Sequence, residues 1–372
     1  MNSRVAIVRC FEYSQPVLLE KLTEAIGLLG GITAFVRPKS KVLLKPNLLM
    51  PKNPDCGITT HPELVRSVVR LLKGIDCQIF IGDAPSVFGG HWKDVDRVYE
   101  VTGIKRVAEE EGVRLVFFDK RRWRNKFPLT TWLDECDYLI NLPKFKTHNL
   151  TLLTAAVKNL FGLIPGTFKS ELHKNYFDTI EFSSMLVDLY QEARPSLNIV
   201  DGILAIEGDG PATAGKLRKT NFLLVSDDAV AVDSILARIM GIEPELVPTN
   251  KEAARRGLGK MQIKDIELFG DSLVDVVKEP FELPVTSLKV KLANPLMKVF
   301  KGFLRFYPQV RIKECSFCQS CVRACPTNAV FLRNNKIIFN YSRCIGCFCC
   351  QEVCPSSAIK TQRTILAKII FR

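Results

Sequence analysis

One doubled cysteine run constrains this chain more than anything else in it. Cys315, Cys318, Cys321 and Cys325 are followed by Pro326, and Cys344, Cys347, Cys350 and Cys354 by Pro355, so C-x2-C-x2-C-x3-C-P occurs twice. Each cysteine of the second run lies 29 positions after its mate, and the likeness continues from Thr327-Asn328-Ala329-Val330 to Ser356-Ser357-Ala358-Ile359. A cubane iron–sulfur cluster needs a thiolate at each iron, and cysteines at x2 spacing let a tight backbone wrap line one face of it. An extra cysteine, Cys349, sits beside Cys350; the 29-residue register pairs Cys349 with Ser320 and Cys350 with Cys321, so Cys350 is the expected ligand. Four-thiolate zinc sites also use C-x2-C pairs, but two of them would need neither the triple runs nor the trailing prolines.

The run resembles the two-cluster bacterial-type ferredoxin. That resemblance implies two [4Fe-4S] clusters, in which the last cysteine of each run serves the other cluster. It assigns Cys315, Cys318, Cys321 and Cys354 to one cluster and Cys344, Cys347, Cys350 and Cys325 to the second. Between the runs, Val330 to Phe339 reads as a hairpin turning at Asn334-Asn335, an apolar cover that would shield the clusters from solvent.

The run is only the tail of a 372-residue chain, 47% of it hydrophobic, which is enough for two or three domains. Cys10, Cys56, Cys77 and Cys136 are widely spaced in or beside apolar stretches and read as reduced thiols of a cytoplasmic protein. The first ten residues contain no apolar core of a signal peptide, and no apolar run reaches the ~18 residues of a membrane span. The formal charge of +13 falls to about +9 once two clusters are counted at about −2 each. Such a surface suits an acidic redox partner protein, an anionic small molecule or an anionic membrane surface. Nucleic acid is disfavoured, because the basic runs lack clustered interleaved aromatics and no nucleic-acid-binding fold signature is present.

Upstream of the cysteines, short apolar strands alternate with helical patterns. Arg4 to Cys10, Lys41 to Leu44, Cys77 to Ile81, Val113 to Phe118, Tyr138 to Leu142, Leu197 to Val200, Phe222 to Val225 and Ile266 to Phe269 read as strands. Helices are expected from Ser14-Gln15-Pro16, from Thr60 (a capping box with Glu63), over Val95 to Glu110, Thr151 to Leu163 and Ile180 to Leu189, and after Asp228. The order predicts an α/β fold with a mostly parallel sheet and helices on both faces, joined to a small α+β ferredoxin-type domain. The expected divisions are an α/β domain over 1–285, a basic amphipathic linker over 286–308, the ferredoxin-type domain over 309–362 and a basic tail over 363–372. The linker's lysines could lie on a membrane surface; packing of its apolar face on the α/β domain is the preferred reading.

In open α/β sheets ligands collect beyond the carboxyl ends of the strands. There this chain carries Lys45 and Asn47, Asp83, Lys144, Lys146 and His148, and Asp201, with Lys158 a little further on; these are the candidate ligand-binding residues. Lys146 and His148 are the candidates for catalysis. Asp83 and Asp201 would equally serve to close turns, and His148 to bond a loop carbonyl. His61 reads as structural, and His91 and His173 carry no signal. The order KPN, TTHPE, GDAPS, LPKFKTH, AVKNLFGLIPG and DGILAIEGDGP, ending in Asp228 and Asp233, resembles the DUF362 family, whose members are often joined to such a ferredoxin. The resemblance implies a redox-active iron–sulfur protein with a pocket in its α/β part, able to take a flavin or another small molecule. Neither a G-x-G-x-x-G fingerprint after the first strand nor a Walker A run is present, which disfavours a standard nicotinamide or P-loop nucleotide site. The leading expectation is electron transfer between the clusters and a rim-bound ligand; the alternative is a non-catalytic carrier or scaffold. Replacing Cys350 by Ser should bleach roughly half of the cluster absorbance, whereas Cys349→Ser should leave it nearly whole; the reverse pattern would shift the register by one.

Overall fold

A computed structural model describes residues 2–85, 92–277, 279–287 and 306–364. Most of the expected linker (288–305) and most of the tail (365–372) lie outside the described residues, so their membrane reading does too. Among the described residues, no helix is long and apolar enough to cross a membrane.

The strands are β1 (Ser3–Arg9), β2 (Lys41–Pro46), β3 (Gln78–Ile81), β4 (Arg114–Leu115), β5 (Arg121–Arg124), β6 (Phe127–Thr130), β7 (Tyr138–Leu142), β8 (Lys144–His148), β9 (Leu152–Thr154), β10 (Leu197–Glu207), β11 (Lys216–Ser226) and β12 (Ile266–Gly270). Ten of these form one sheet in the order β12-β1-β11-β10-β7-β2-β3-β4, with β8 and β9 branching from β10, while β5 and β6 make a separate hairpin. All the pairings along that order are parallel except those of β11 with β1 and β10. Side chains alternate across the sheet as the strand period of two requires. Leu43, Phe80 and Leu139 face a core with the helices Thr179–Ala193 and Ala229–Ile239. Their neighbours Val42, Leu44, Ile79, Ile81 and Ile140 face the opposite core, under the helices Gln15–Gly27 and Pro62–Lys73. The chain is therefore an α/β fold, its largely parallel sheet covered on both faces.

Several local expectations change, each for a visible reason. Lys144 to His148 is a strand rather than a loop. β7 stops at Pro143, which has no N–H to offer, and β8 resumes beside β10 in the register Asp201↔Lys144. Thr151 to Leu163 is not one helix. Its first part folds back antiparallel on β8 as β9, and helix begins only at Ala156, where the Asp233 carboxylate accepts the N–H groups of Ala156 (2.7 Å) and Val157 (3.2 Å). The stretch 95–110 is two helices parted at Gly103, which has φ 76°, and the strand expected over Val113 to Phe118 shrinks to Arg114–Leu115. The helix expected to be capped by Thr60 takes His61 as its cap instead, Nδ1 accepting the Glu63 N–H at 3.2 Å, while the Thr60 hydroxyl donates to the Leu142 carbonyl.

The C-terminal part repeats itself in space as it does in sequence. Here β13 (Phe306–Val310) pairs with β16 (Ile359–Arg363), and β14 (Val330–Arg333) with β15 (Lys336–Phe339). Val330 opposite Phe339 corresponds, 29 residues on, to Ile359 opposite Val310 with the pairing crossed between halves. Gln319 and Phe348 share φ 61° and ψ 11°, each opening a four-residue helix, Ser320–Arg323 or Cys349–Glu352. Asn334 and Asn335 turn the predicted hairpin with φ of 50° and 54°.

In the α/β part, the Asp228 carboxylate accepts the N–H groups of Val230 (2.8 Å), Ala231 (3.0 Å) and Lys260 (2.8 Å). Asp228→Ala should therefore lower the unfolding free energy by about 2 kcal/mol in urea denaturation. A loss under ~0.5 kcal/mol would mean the cap contributes nothing.

Candidate functional site

The ends of β2 and β3, the segment Ala156–Leu163, the helix Phe168–Asn175 and the second cysteine run together enclose one cleft. Lys45, Asn47, Asp83, Lys146 and Lys158, all expected at the rim, line it. Lys45 and Asp83 form its floor as a buried ion pair at 2.7 Å, and Asp83 also accepts the Leu48 N–H at 2.8 Å. Gly162 is required above them: a Cβ there would collide with both the Asp83 carboxylate and the Lys45 ammonium.

A chain of amides crosses the strand ends and orients this floor. Asn141 donates to Asn198 (2.9 Å), Asn159 to Asn141 (2.8 Å) and Asn47 to Asn159 (2.9 Å). Asn47 then accepts from Lys146 at 2.6 Å, and the Ile58 carbonyl accepts a second Lys146 proton at 2.7 Å. Lys146 is 1% exposed and has only these neutral acceptors. Burial, with Lys158 and Lys144 nearby, pushes its pKa down to about 7. Burial likewise lowers Lys158, against the opposing pull of Glu352 and Cys349, and brings Lys169 down to about 8.

The ferredoxin-type part supplies the facing wall, through Cys349, Glu352 and Val353. It is held there by the Asn149 amide donating to Gln351 (2.8 Å), the Thr213 hydroxyl donating to the Cys354 carbonyl (2.7 Å), and the Ser357 hydroxyl donating to the Thr213 carbonyl. Glu352 Oε1 lies 3.1 Å from His148 Nε2. Burial works against ionisation of Glu352, but the His148 N–H beside it and the Lys158 ammonium outweigh that cost and hold its carboxyl below the usual range. His148 itself is enclosed behind the cleft; its Nδ1 accepts the N–H groups of Leu150 and Thr151 at 3.0 and 3.2 Å, and burial keeps it neutral.

Lys144 and Asp201 do not join this cleft. They pair with each other at 2.9 Å, and Asp201 also accepts from the Tyr13 hydroxyl (2.6 Å) and the His61 N–H (2.8 Å), with Tyr13 stacked on His61 at 3.7 Å. Lys144, Asp201 and His61 are buried and Tyr13 partly so. Conversely, Lys169, His173, Cys349 and Glu352 line the cleft without having been singled out for it. Lys169 and His173 stand four residues apart on one helix and so share a face, which was a readable signal; the wall from the second cysteine run was not, since only the docking of the two parts creates it.

The cysteine region suits an iron–sulfur cluster in its donors. Backbone N–H groups reach sulfur from Ala329 to Cys325 (3.1 Å), from Ala358 to Cys354 (3.3 Å) and from Phe317 to Cys315 (3.4 Å), contacts that favour the anionic sulfur a cluster demands. The runs differ in exposure. Cys347, Cys350 and Cys354 are buried, whereas Cys318 is exposed and Cys315 intermediate.

His173 provides a pH test. It stacks on Phe182 at 4.5 Å, is 5% exposed, and has its pKa pushed down to about 3 by burial. A depressed folded-state pKa means that the unfolded state binds the proton first. Stability is then complete above the unfolded value near 6.5 and declines as pH falls toward 3, by up to ~1.4 kcal/mol per pH unit. Urea unfolding between pH 7 and pH 5 should show this slope, and His173→Phe should flatten it; an unchanged slope in the variant would exclude His173 as its source.

Comparison with known proteins follows the same two-part division. Residues 42–238 match the model of the family described as "Domain of unknown function (DUF362)", and residues 314–358 that of the "4Fe-4S dicluster domain". The thylakoid-associated protein sll1697 of Synechocystis is 34% identical over 316 residues, covering 82% of this chain and 96% of that one. Hydrogenase-4 component A of Escherichia coli is 45% identical over 47 residues, and indolepyruvate oxidoreductase subunit IorA of Archaeoglobus fulgidus 35% over 54. This chain spans 23% and 8% of those two proteins. Lactate racemase apoprotein from Thermoanaerobacterium thermosaccharolyticum shows a loose likeness, with a TM-score of 0.39 at 13% identity over 63% of this chain and 57% of that one. The chain carries a 4Fe-4S ferredoxin-type domain and belongs to the DUF362 family.

Proposed function

We propose that two [4Fe-4S] clusters in this protein pass electrons between an external redox partner and a molecule bound in the lysine-lined cleft. One observation carries the reading: the second cysteine run forms a wall of the cleft, through Cys349, Glu352 and Val353, opposite Lys45, Asn47, Asp83, Lys146 and Lys158. A cluster on Cys344, Cys347, Cys350 and Cys325 would thus stand beside whatever occupies the cleft. The cluster on Cys315, Cys318, Cys321 and Cys354 has Cys318 exposed, on the side where a partner could approach. Fe–S chemistry supplies one-electron transfers. The protein's own residues leave the first cluster the more accessible, through Cys318, and keep a charged cleft next to the second.

In this reading Lys146 is the cleft cation best placed to meet charge developing on a bound substrate, and His148 positions Glu352 from behind. Lys144 and Asp201 hold the break between β7 and β8. The partner is an acidic electron carrier, matched to a chain with a formal charge of +13, and the free thiols fit a reducing cytoplasm. Similarity to components of hydrogenase and oxidoreductase complexes supports a place in electron transport.

Anaerobic titration with dithionite, followed by electron paramagnetic resonance, should take up about two electrons per chain, one for each cluster. Mass spectrometry of the anaerobically purified protein should find a small molecule released on unfolding. Clusters that assemble but accept no electron from dithionite or any carrier protein would end the electron-transfer reading.

A further inference from the structure

We propose that the cleft is a site for a small dianion, a molecule bearing two carboxylates or a phosphate monoester, held by Lys146, Lys158 and Lys169. This rests on the reading of the cleft as the ligand side of the protein, and it names the class of ligand.

Four lysines line the cleft but only two carboxylates do. Lys45 is matched by Asp83 at 2.7 Å. The other three have no carboxylate in hydrogen-bond contact. Lys146 donates to an amide oxygen and a carbonyl, Lys169 to the carbonyls of Ala84 and Pro85, and Lys158 makes no hydrogen bond or ion pair among the described residues, its ammonium lying 5.6 Å from the Phe161 ring. Glu352 is the sole remaining carboxylate on the wall, so two positive charges are left over. Buried ammonium groups crowd one another at a cost unless an anion joins them. The depressed pKa values of Lys146 and Lys169, about 7 and 8, are the expected response of such a group without its anion.

A further atom points to a ligand rather than to a solvated surface. His173 Nδ1 belongs to a residue lining the cleft, 5% exposed, and has no hydrogen-bond partner. Such atoms are seldom left unpaired in a folded protein. A ligand with a hydroxyl or amine beside its anionic groups would satisfy it. The cleft has about 70 Å³ open to water-sized groups, room for a compact anion.

Isothermal titration of the anaerobic holoprotein at pH 8 with malonate, inorganic phosphate and acetate tests this. One equivalent of malonate or of phosphate should bind, with acetate about ten-fold weaker or more, and Lys158→Gln and Lys169→Gln should each weaken binding by about ten-fold. Binding should also take up protons, as the anion recharges Lys146. Malonate alone would mark a dicarboxylate and phosphate alone a phosphate ester; either result supports the site. Failure of both anions to bind, or affinity unchanged in both variants while cluster absorbance is intact, would overturn it. Clusters that pass electrons in a protein binding neither anion would sink this inference alone, whereas a bound dianion beside clusters that cannot be reduced would sink only the electron-transfer reading.

Discussion

The seating of Glu352 against the rim of the α/β sheet is the contact on which the rest of the site depends. It brings a carboxylate on the short helix Cys349–Glu352 into a region already holding Lys158, His148 and His173. Neither side is comfortable alone. Lys146 is buried and Lys158 and Lys169 partly so, with few counter-charges, and Glu352 would be a buried carboxylate without compensation. Each lowers the cost of the other, and the helix bearing Glu352 also bears Cys349 and Cys350. Electrostatics of the rim and placement of the cysteines are therefore coupled through one turn of helix.

The internal repeat shows how a symmetric module became one-sided. The two halves share backbone angles, helix starts, strand register and N–H to sulfur contacts 29 residues apart. Their side chains part where the second half meets the large domain. Ser320, Val322 and Arg323 of the first helix correspond to Cys349, Gln351 and Glu352 of the second. Gln351 receives the Asn149 amide, Glu352 faces His148, and Cys349 lines the cleft, whereas Arg323 stays exposed and donates to Ser320. Cys349 thus has a place in the fold that owes nothing to the repeat.

Buried charge is used in two ways along β8. Lys144 is met by Asp201 and Tyr13 in a closed group that ties the break after Pro143 to the helices on that face. Lys146, two residues on, points to the cleft side and finds only Asn47 and the Ile58 carbonyl. Two residues apart, they share one face of the strand, and it is their different neighbours that make one a closed structural pair and leave the other as unfinished coordination.

Much was legible in the sequence because it is carried by local spacing. The cysteine repeat, the parallel strand order, the hairpin at Asn334-Asn335 and the strand-end positions of Lys45 and Asp83 all follow from period and turn chemistry within short windows. Spacing could not separate Lys144 from Lys146, since both end the same motif, nor show that LTLLTA would fold back as β9 before any helix began. It did place Lys169 and His173 four residues apart on one helix face, without showing what that face would meet. By itself the sequence determined a cluster-binding repeat attached to a doubly covered α/β sheet. Only the tertiary structure decided which charged side chains meet, because their pairing depends on burial and on the docking of segments 202 residues apart, such as Asn149 and Gln351.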